Sequence, residues 1–294
     1  MSVMIADALS GKHREPILLL QILSRPGGAI GFTLIFSHLL LAIFSPLIAP
    51  FDFKEINSML MLRAPDAVYW FGTDHLGRDL FSRTILGGRE AILVTGIATP
   101  LAIIWGGFFG IYFGLSGGKI DEVLMRLVDG FLALPWILKM LVLIATFGSG
   151  IEVLIPTLSF FYGIPVIRIA RAATHDVVAR DFILAAKARG HSKFTIIWKE
   201  LLPNVFDALM VEGAMRWSWM LLAFSSLSFL GFGVSPPTPD WGLMISDGRA
   251  YMGFAPWSVL APVIALSSLI IGINLTSDAL AKAIGIDRAQ KAPV

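Results

Sequence analysis

Residues 90–115 read EAILVTGIATPLAIIWGGFFGIYFGL. Past Glu90 the run carries no charge, and it exceeds the roughly 20 apolar residues that a helix needs to cross about 30 Å of hydrocarbon. Gly106, Gly110 and Gly114 recur every four positions within it, which stacks them on one helical face and lets another backbone approach closely. The spacing predicts a packing face rather than a hinge. Similar runs lie on either side, so helices are expected near 29–49, 90–115, 123–147, 151–168, 209–231 and 257–276. Six spans place both termini on one side.

Composition agrees. Of 294 residues, 56% are hydrophobic and 15% charged, against roughly 45–50% and 25% in a soluble domain. The mean hydropathy is +0.76. Disorder and an ordinary soluble enzyme are excluded. A net charge of +2 from 23 basic and 21 acidic residues makes no large basic surface, so nucleic acid is not an expected partner. The lack of Cys removes disulfides, thiolate ligands and cysteine nucleophiles. The five His, at 13, 38, 75, 175 and 191, show no ligand spacing, and no metal site is expected. His38 stands alone in the first span and is expected to be packed or interfacial.

The first run follows Lys12, Arg14 and Arg25, but it outlasts an ordinary signal core and no A-x-A site follows, so an uncleaved anchor is expected. Segments 1–28, 116–122, 169–208 and 277–294 hold 13 Lys and Arg; segments 50–88, 148–150 and 232–256 hold 5. The positive-inside rule then puts both termini in the cytoplasm and segment 50–88 outside. With Asp52, Glu55, Asp66, Asp74 and Asp79, that segment is polar and long enough to fold over a pore mouth.

Between the fourth and fifth spans lies an amphipathic loop. Val178, Phe182, Ala185 and Ala186 have helical spacing, and so, past Gly190, do Phe194, Ile197, Trp198 and Leu201. Two short helices broken at a glycine are predicted, with Ser192 capping the second and Pro203 stopping it. The turn presents Arg189, Gly190 and His191. Two roles fit these residues. One is a hairpin on the membrane surface, with Lys187, Lys193 and Lys199 meeting lipid headgroups; the other is a docking surface for a protein.

A charge near the middle of a membrane helix costs at least about 2.5–3.5 kcal/mol unless it is paired or faces water. Arg126 with Asp129, and Glu212 with Arg216, have the spacing to neutralise each other on one helical face. Lys139 has no acidic residue at i±3 or i±4 and needs water, a partner helix or a route to the surface. Arg126, Asp129 and Lys139 are the candidate pore-facing charges.

Several motifs together resemble one family. Gly72-Thr73-Asp74-His75-Leu76-Gly77-Arg78-Asp79 through Ser82-Arg83 resembles G-T-D-x-x-G-R-D-x-x-S-R. Asp121-Glu122 through Met125-Arg126 and Asp129, with Ala133-Leu134-Pro135, resembles D-E-x-x-M-R-x-x-D…A-L-P. Ala185-Ala186 with Gly190 and Leu201-Leu202-Pro203-Asn204 is similar to the cytoplasmic E-A-A loop. Leu227-Ser228-Phe229-Leu230-Gly231-Phe232-Gly233 and Pro236-Pro237-Thr238-Pro239-Asp240-Trp241-Gly242 resemble L-S-F-L-G-x-G and P-P-x-P-x-W-G. These stretches, spread over 70–278, resemble the inner-membrane permease subunits of binding-protein-dependent ABC importers, in the dipeptide, oligopeptide and nickel branch.

The resemblance implies an all-α membrane protein of six transmembrane helices with the type I importer permease fold and a cytoplasmic coupling loop between spans 4 and 5. With the spans and the Lys and Arg count, the expected division is a cytoplasmic tail over 1–28, a first helix and external loop over 29–87, a permease domain over 88–278 and a second cytoplasmic tail over 279–294. The implied coupling-loop contacts are Phe182, Ala185, Ala186, Arg189, Gly190, Phe194, Ile197 and Pro203. The external signature falls on Gly72, Thr73, Asp74, Gly77, Arg78 and Asp79. The implied partners are a second homologous permease subunit, two ATP-binding subunits, an extracytoplasmic solute-binding protein and membrane lipid, in a bacterial inner membrane. ATP and Mg would bind the partner subunits, because this chain has no G-x-x-x-x-G-K-[ST]. The chain is therefore expected to be a transport subunit and not an enzyme, moving peptides or similar small solutes.

Two positions and one motif depart from the pattern. Leu184 and Phe224 stand where the family carries glutamates, and the carboxy-terminal motif survives only as Ser277-Asp278-Ala279-Leu280-Ala281-Lys282 with Asp287-Arg288. With Leu184 in the acid's place, contact is expected to rest on Phe182, Phe194 and Ile197, with Arg189 as a polar anchor. The competing classes are an ATP-independent channel or secondary transporter, which calls for coupling-ion ligands or inverted repeats, and an intramembrane enzyme, which calls for a convergent catalytic group.

Overall fold

The computed structural model describes residues 18–285, and the regular structure among them is helical. Lys12, His13, Arg14, Asp287 and Arg288 lie outside the described residues. In chain order α1 (Leu18–Leu23) leads into α2 (Pro26–Ile48), and a segment with one 3-10 turn connects it to α3 (Leu80–Ser116). Then come α4 (Gly118–Ala133), α5 (Trp136–Phe147), α6 (Ile151–Val178), α7 (Asp181–Ala188) and α8 (Lys193–Ile196). A π turn at Ile197–Leu201 joins α8 to α9 (Leu202–Phe229), which is followed by α10 (Trp241–Gly248) and α11 (Trp257–Ile284).

Among the described residues α2, α3, α6 and α11 are long and apolar enough to cross a membrane. The α4–α5 pair, bent by 86°, makes a fifth if counted as one span. The helix α9 has the length, but Asp207, Glu212 and Arg216 dilute its apolar character.

Several boundaries differ from the sequence reading, each for a local reason. The second helix begins at Leu80, ten residues before the apolar run, because Asp79 caps it by accepting the Ser82 amide at 2.7 Å. The third expected span is two helices: Leu134 takes an extended backbone at the start of Leu134-Pro135, and Pro135 has no N–H to continue the ladder. The fourth runs on to Val178 and the sixth to Ile284. The fifth starts at Leu202, with Pro203 in its first turn, where a missing N–H breaks no helical bond. Pro203 therefore opens a helix and does not stop one.

The seam between α3 and α6 is set by the glycine stripe. A Cβ added at Gly110 would lie 2.5 Å from both the Ala170 Cβ and the Ile167 carbonyl, and one at Gly114 would lie 2.8 Å from the Thr174 Cβ. Gly106 abuts the Gly163 carbonyl with no room for a side chain. The packing expectation holds, with α6 of the same chain as the partner; the face is spent here and is closed to a second subunit. One core cluster gathers Ala91, Val94, Met140, Leu158, Phe224 and Trp241 in the middle of the bundle. Another, with Ile111, Ala170, Ile183, Ile196, Leu201 and Val205, seals the carboxy-terminal end of α3. His38 is packed, as expected: its Nε2 lies 2.8 Å from the Ser268 Oγ, and its ring meets Trp241 edge-on at 5.7 Å.

Candidate functional site

Three places carry the candidate residues. The first is the hairpin of α7 and α8. Gly190 sits at φ +78, its N–H donates to the Lys187 carbonyl at 3.0 Å, and the His191 N–H donates to the Ala186 carbonyl at 3.2 Å. That pair of bonds is a Schellman ending, which needs a left-handed residue and selects glycine. The Ser192 Oγ accepts the Thr195 amide at 3.2 Å and caps α8, as its position suggests. The π turn follows: the Leu202 N–H reaches back to the Ile197 carbonyl, and Asn204 Nδ2 donates to the Glu200 carbonyl at 2.7 Å.

The hairpin has two unlike faces. Ile183, Ala186, Ile196, Ile197 and Leu201 are buried against α3 and α9. Phe182, Leu184, Phe194 and Trp198 face outward, Leu184 at 55% exposure and Phe194 at 63%. The Phe194 and Trp198 rings lie 5.9 Å apart. Ala185, Arg189, Gly190 and Pro203 are exposed as well. The expectation for Ile197 and Ala186 is corrected: both point into the bundle and hold the hairpin down, so neither is available to a partner. Leu184 and Trp198, absent from the expected contacts, belong to the open face. Leu184 stands where the family's glutamate was expected, so its exposure is an apolar substitute at a surface position. Phe224, at the other such position, is fully buried in the apolar core cluster, where burying a charge is costly.

The second place is the 50–83 cap over the amino-terminal end of α3. Asp74, 7% exposed, accepts the amides of Leu76 (2.8 Å) and Arg78 (3.0 Å) and pairs with Arg78 Nε at 2.7 Å; Arg83 Nε lies 3.6 Å from it. Arg83 also donates to the Phe53 carbonyl at 2.9 Å. Thr73 accepts the Arg63 amide at 2.9 Å, donates to the Leu60 carbonyl and bridges to Asp79. Gly72 and Gly77 donate their amides to Tyr69 and Asp74 at 2.9 and 3.0 Å. All six signature residues thus sit in one hydrogen-bonded knot, joined by Arg83 from the S-R end of the same motif. Outside it, the Tyr69 and Val68 amides hold the Asp66 carboxyl below the usual range. Beside the cap, Asp240 caps α10 through the Leu243 amide at 3.2 Å, and burial pushes its carboxyl up to about 6.

The third place is a cavity of about 570 Å³ between the α4–α5 bend, α6 and α9. Lys139, Arg216, Tyr162, Trp136 and Trp219 are in its wall. Lys139 Nζ donates to the Phe131 carbonyl at 2.6 Å and lies 5.5 Å from the Phe161 ring centroid. That carbonyl has lost its helical partner because residue 135, four positions on, is proline. The expected Glu212–Arg216 pair forms. The expected Arg126–Asp129 pair does not: Arg126 bonds Glu122 at 2.6 Å, and Asp129 lies 3.4 Å from Arg168 on α6. Neither of the two lines this cavity. Arg171 bonds Asp121 at 2.6 Å and ties α4 to α6.

Comparison with known proteins follows the same lines. Residues 106–286 match the family described as binding-protein-dependent transport system inner membrane component. A dipeptide transport system permease protein of Alkalihalophilus pseudofirmus is 34% identical over 256 residues, 87% of this chain and 84% of that protein. An oligopeptide transport system permease protein of Bacillus subtilis is 29% identical over 90% of this chain and 87% of its own length. A glutathione transport system permease protein of Shigella flexneri is 33% identical over 84% and 82%.

Proposed function

The chain belongs to the binding-protein-dependent transport system inner membrane family, and from that premise we propose that it is one permease subunit of an ATP-driven importer for peptides or similar small solutes. Its partners are a second homologous permease subunit, two ATP-binding subunits that hold ATP and Mg, and an extracytoplasmic solute-binding protein. The chain itself carries out no catalysis. It crosses a bacterial inner membrane six times: α2, α3, the bent α4–α5 pair, α6, α9 and α11. Including α9 is supported by its packing among α3, α6 and α11, where its charges can be answered inside the bundle. Both termini are cytoplasmic and the 50–83 cap is outside, from the distribution of Lys and Arg.

The observation that carries the reading is the hairpin: one face is sealed into the bundle while Phe182, Leu184, Phe194 and Trp198 stand open around a Schellman turn. The ten residues Leu80–Arg89 of α3 lie on the cap side and its uncharged run continues to Leu115, so the hairpin packed on its other end sits at the edge of a hydrocarbon layer of about 30 Å. ATP binding in the partner subunits draws such hairpins together, and the cavity that holds Lys139 opens to the other side in response.

Replacing Gly190 with valine tests this. Among the described residues, its two chain neighbours aside, no atom lies within 4 Å of a Cβ there, so the change strains the turn and whatever docks on it. Membranes carrying Gly190→Val are expected to lose the ATP-binding subunits on purification and to stop uptake; normal retention and transport would refute the coupling role. For orientation, cysteine at Asp66 in this Cys-free chain should react with an impermeant maleimide in intact cells and cysteine at Arg189 should not.

A further inference from the structure

We infer that the cavity between the α4–α5 bend, α6 and α9 is an anion-accepting station, built to hold a carboxylate of the transported solute, with Lys139 as its charged contact. The inference rests on the permease reading above and adds the chemistry of what the path accepts. The cavity wall includes two cations, Lys139 and Arg216, and no Asp or Glu. Arg216 is answered from behind by Glu212 through its Nε, and its terminal guanidinium nitrogens have no hydrogen-bond partner among the described residues. Lys139 has no carboxylate within ion-pair reach among the described residues; its ammonium touches only the Phe131 carbonyl and the Phe161 ring. A lysine inside a membrane helix is costly, and this one is held in the wall of an open cavity by a carbonyl that Pro135 left bare. One charge in the wall therefore remains uncompensated. An ammonium with spare donors, a guanidinium fork and flanking aromatic rings form a receptor for a carboxylate attached to an apolar body.

The absence of Cys allows a direct test. Leu222, in the same wall and 45% exposed, is replaced by cysteine in the assembled importer. Its reaction rates are measured with the negatively charged sulfonatoethyl and the positively charged trimethylammonioethyl methanethiosulfonates, each normalised to free cysteine. The sulfonate stands in for the carboxylate. The anionic reagent is expected to be favoured about tenfold. The preference should disappear when Lys139→Gln is added and persist with Lys139→Arg. Uptake of a dipeptide with a free carboxylate should follow the same order. Equal normalised rates, or a cysteine that reacts with neither reagent, would overturn the inference. So would loss of the second permease subunit from Lys139→Gln membranes, which would make the lysine an assembly contact. Stimulation of ATP hydrolysis by the binding protein, measured in the wild-type assembly, tests the permease reading separately. Its failure would leave the reagent preference standing.

Discussion

At the amino-terminal end of α3, Asp74, Arg78 and Arg83 close a knot of buried charges that finds its partners within the chain. At the carboxy-terminal end, the hairpin buries Ile183, Ile196 and Ile197 but leaves Phe182, Leu184, Phe194 and Trp198 in the open. The first region pairs its charges within the chain, leaving only Arg83 Nε and Asp79 Oδ1 buried without a hydrogen bond among the described residues, and carries its own stability. The second is stable underneath and unfinished on top, and exposed apolar surface of that kind marks a site for another molecule. Substitutions in the two regions should therefore separate stability from assembly.

Asp74→Ala should have the largest effect, since it leaves two mostly buried arginines without their shared carboxylate. A loss of about 3–5 kcal/mol is expected, read as a collapse of thermal stability in detergent, with Asp74→Asn less severe. A melting curve within a few degrees of wild type would mean that the knot is dispensable. Next is Asp240. Its folded carboxyl titrates near 6, above the ordinary value of 3.8, so the folded state binds the proton more tightly. Its contribution is full below about pH 4 and is lost as pH rises through 6, a span worth at most about 3 kcal/mol. Asp240→Asn keeps a capping oxygen and should flatten that part of the stability–pH curve.

Gly190→Ala should cost about 1 kcal/mol through its left-handed backbone. The smallest effect on stability, within about 0.5 kcal/mol, is expected for Phe194→Ser, whose ring is mostly exposed, with Trp198→Ser costing somewhat more because its half-buried ring lines a cleft with α3 and α9. Those two changes should nonetheless weaken retention of the ATP-binding subunits. If they destabilise the chain as strongly as Asp74→Ala does, the contrast between the two ends fails.

Much of this was legible in the sequence, where local physics decides the outcome. Apolar runs located the membrane helices, four-residue glycine spacing marked the packing face of α3 without naming α6 as its partner, and Ser192 and Gly190 marked their caps. What stayed hidden depends on distant partners. The start of α3 at Leu80 was masked because Ser82, Arg83 and Thr84 look polar, yet they are buried where the Phe51 amide reaches Ser82, Arg83 reaches the Phe53 carbonyl and the Trp241 indole reaches the Thr84 carbonyl. Asp129 had a suitable neighbour at Arg126 by spacing, yet Arg168 on α6 comes nearer. Helical periodicity showed that Phe182 and Ile197 are apolar, but it cannot tell which apolar stripe the bundle covers and which it leaves bare. Arg216 could be matched to Glu212 by spacing, while its meeting with Lys139 across a cavity required the 86° bend between α4 and α5.

The π turn at Ile197–Leu201 has a mechanical consequence. It splices the hairpin onto α9 without a loop, since Leu202 bonds back to Ile197 and Pro203 falls where no amide is needed. Hairpin and helix therefore form one lever arm with no slack at the joint. Arg216 stands 14 residues beyond Leu202, about 21 Å along the shaft at 1.5 Å per residue, so a tilt of roughly 10° at the splice swings it by about 4 Å. A flexible linker would absorb a push of that size; this joint gears it directly to the far end.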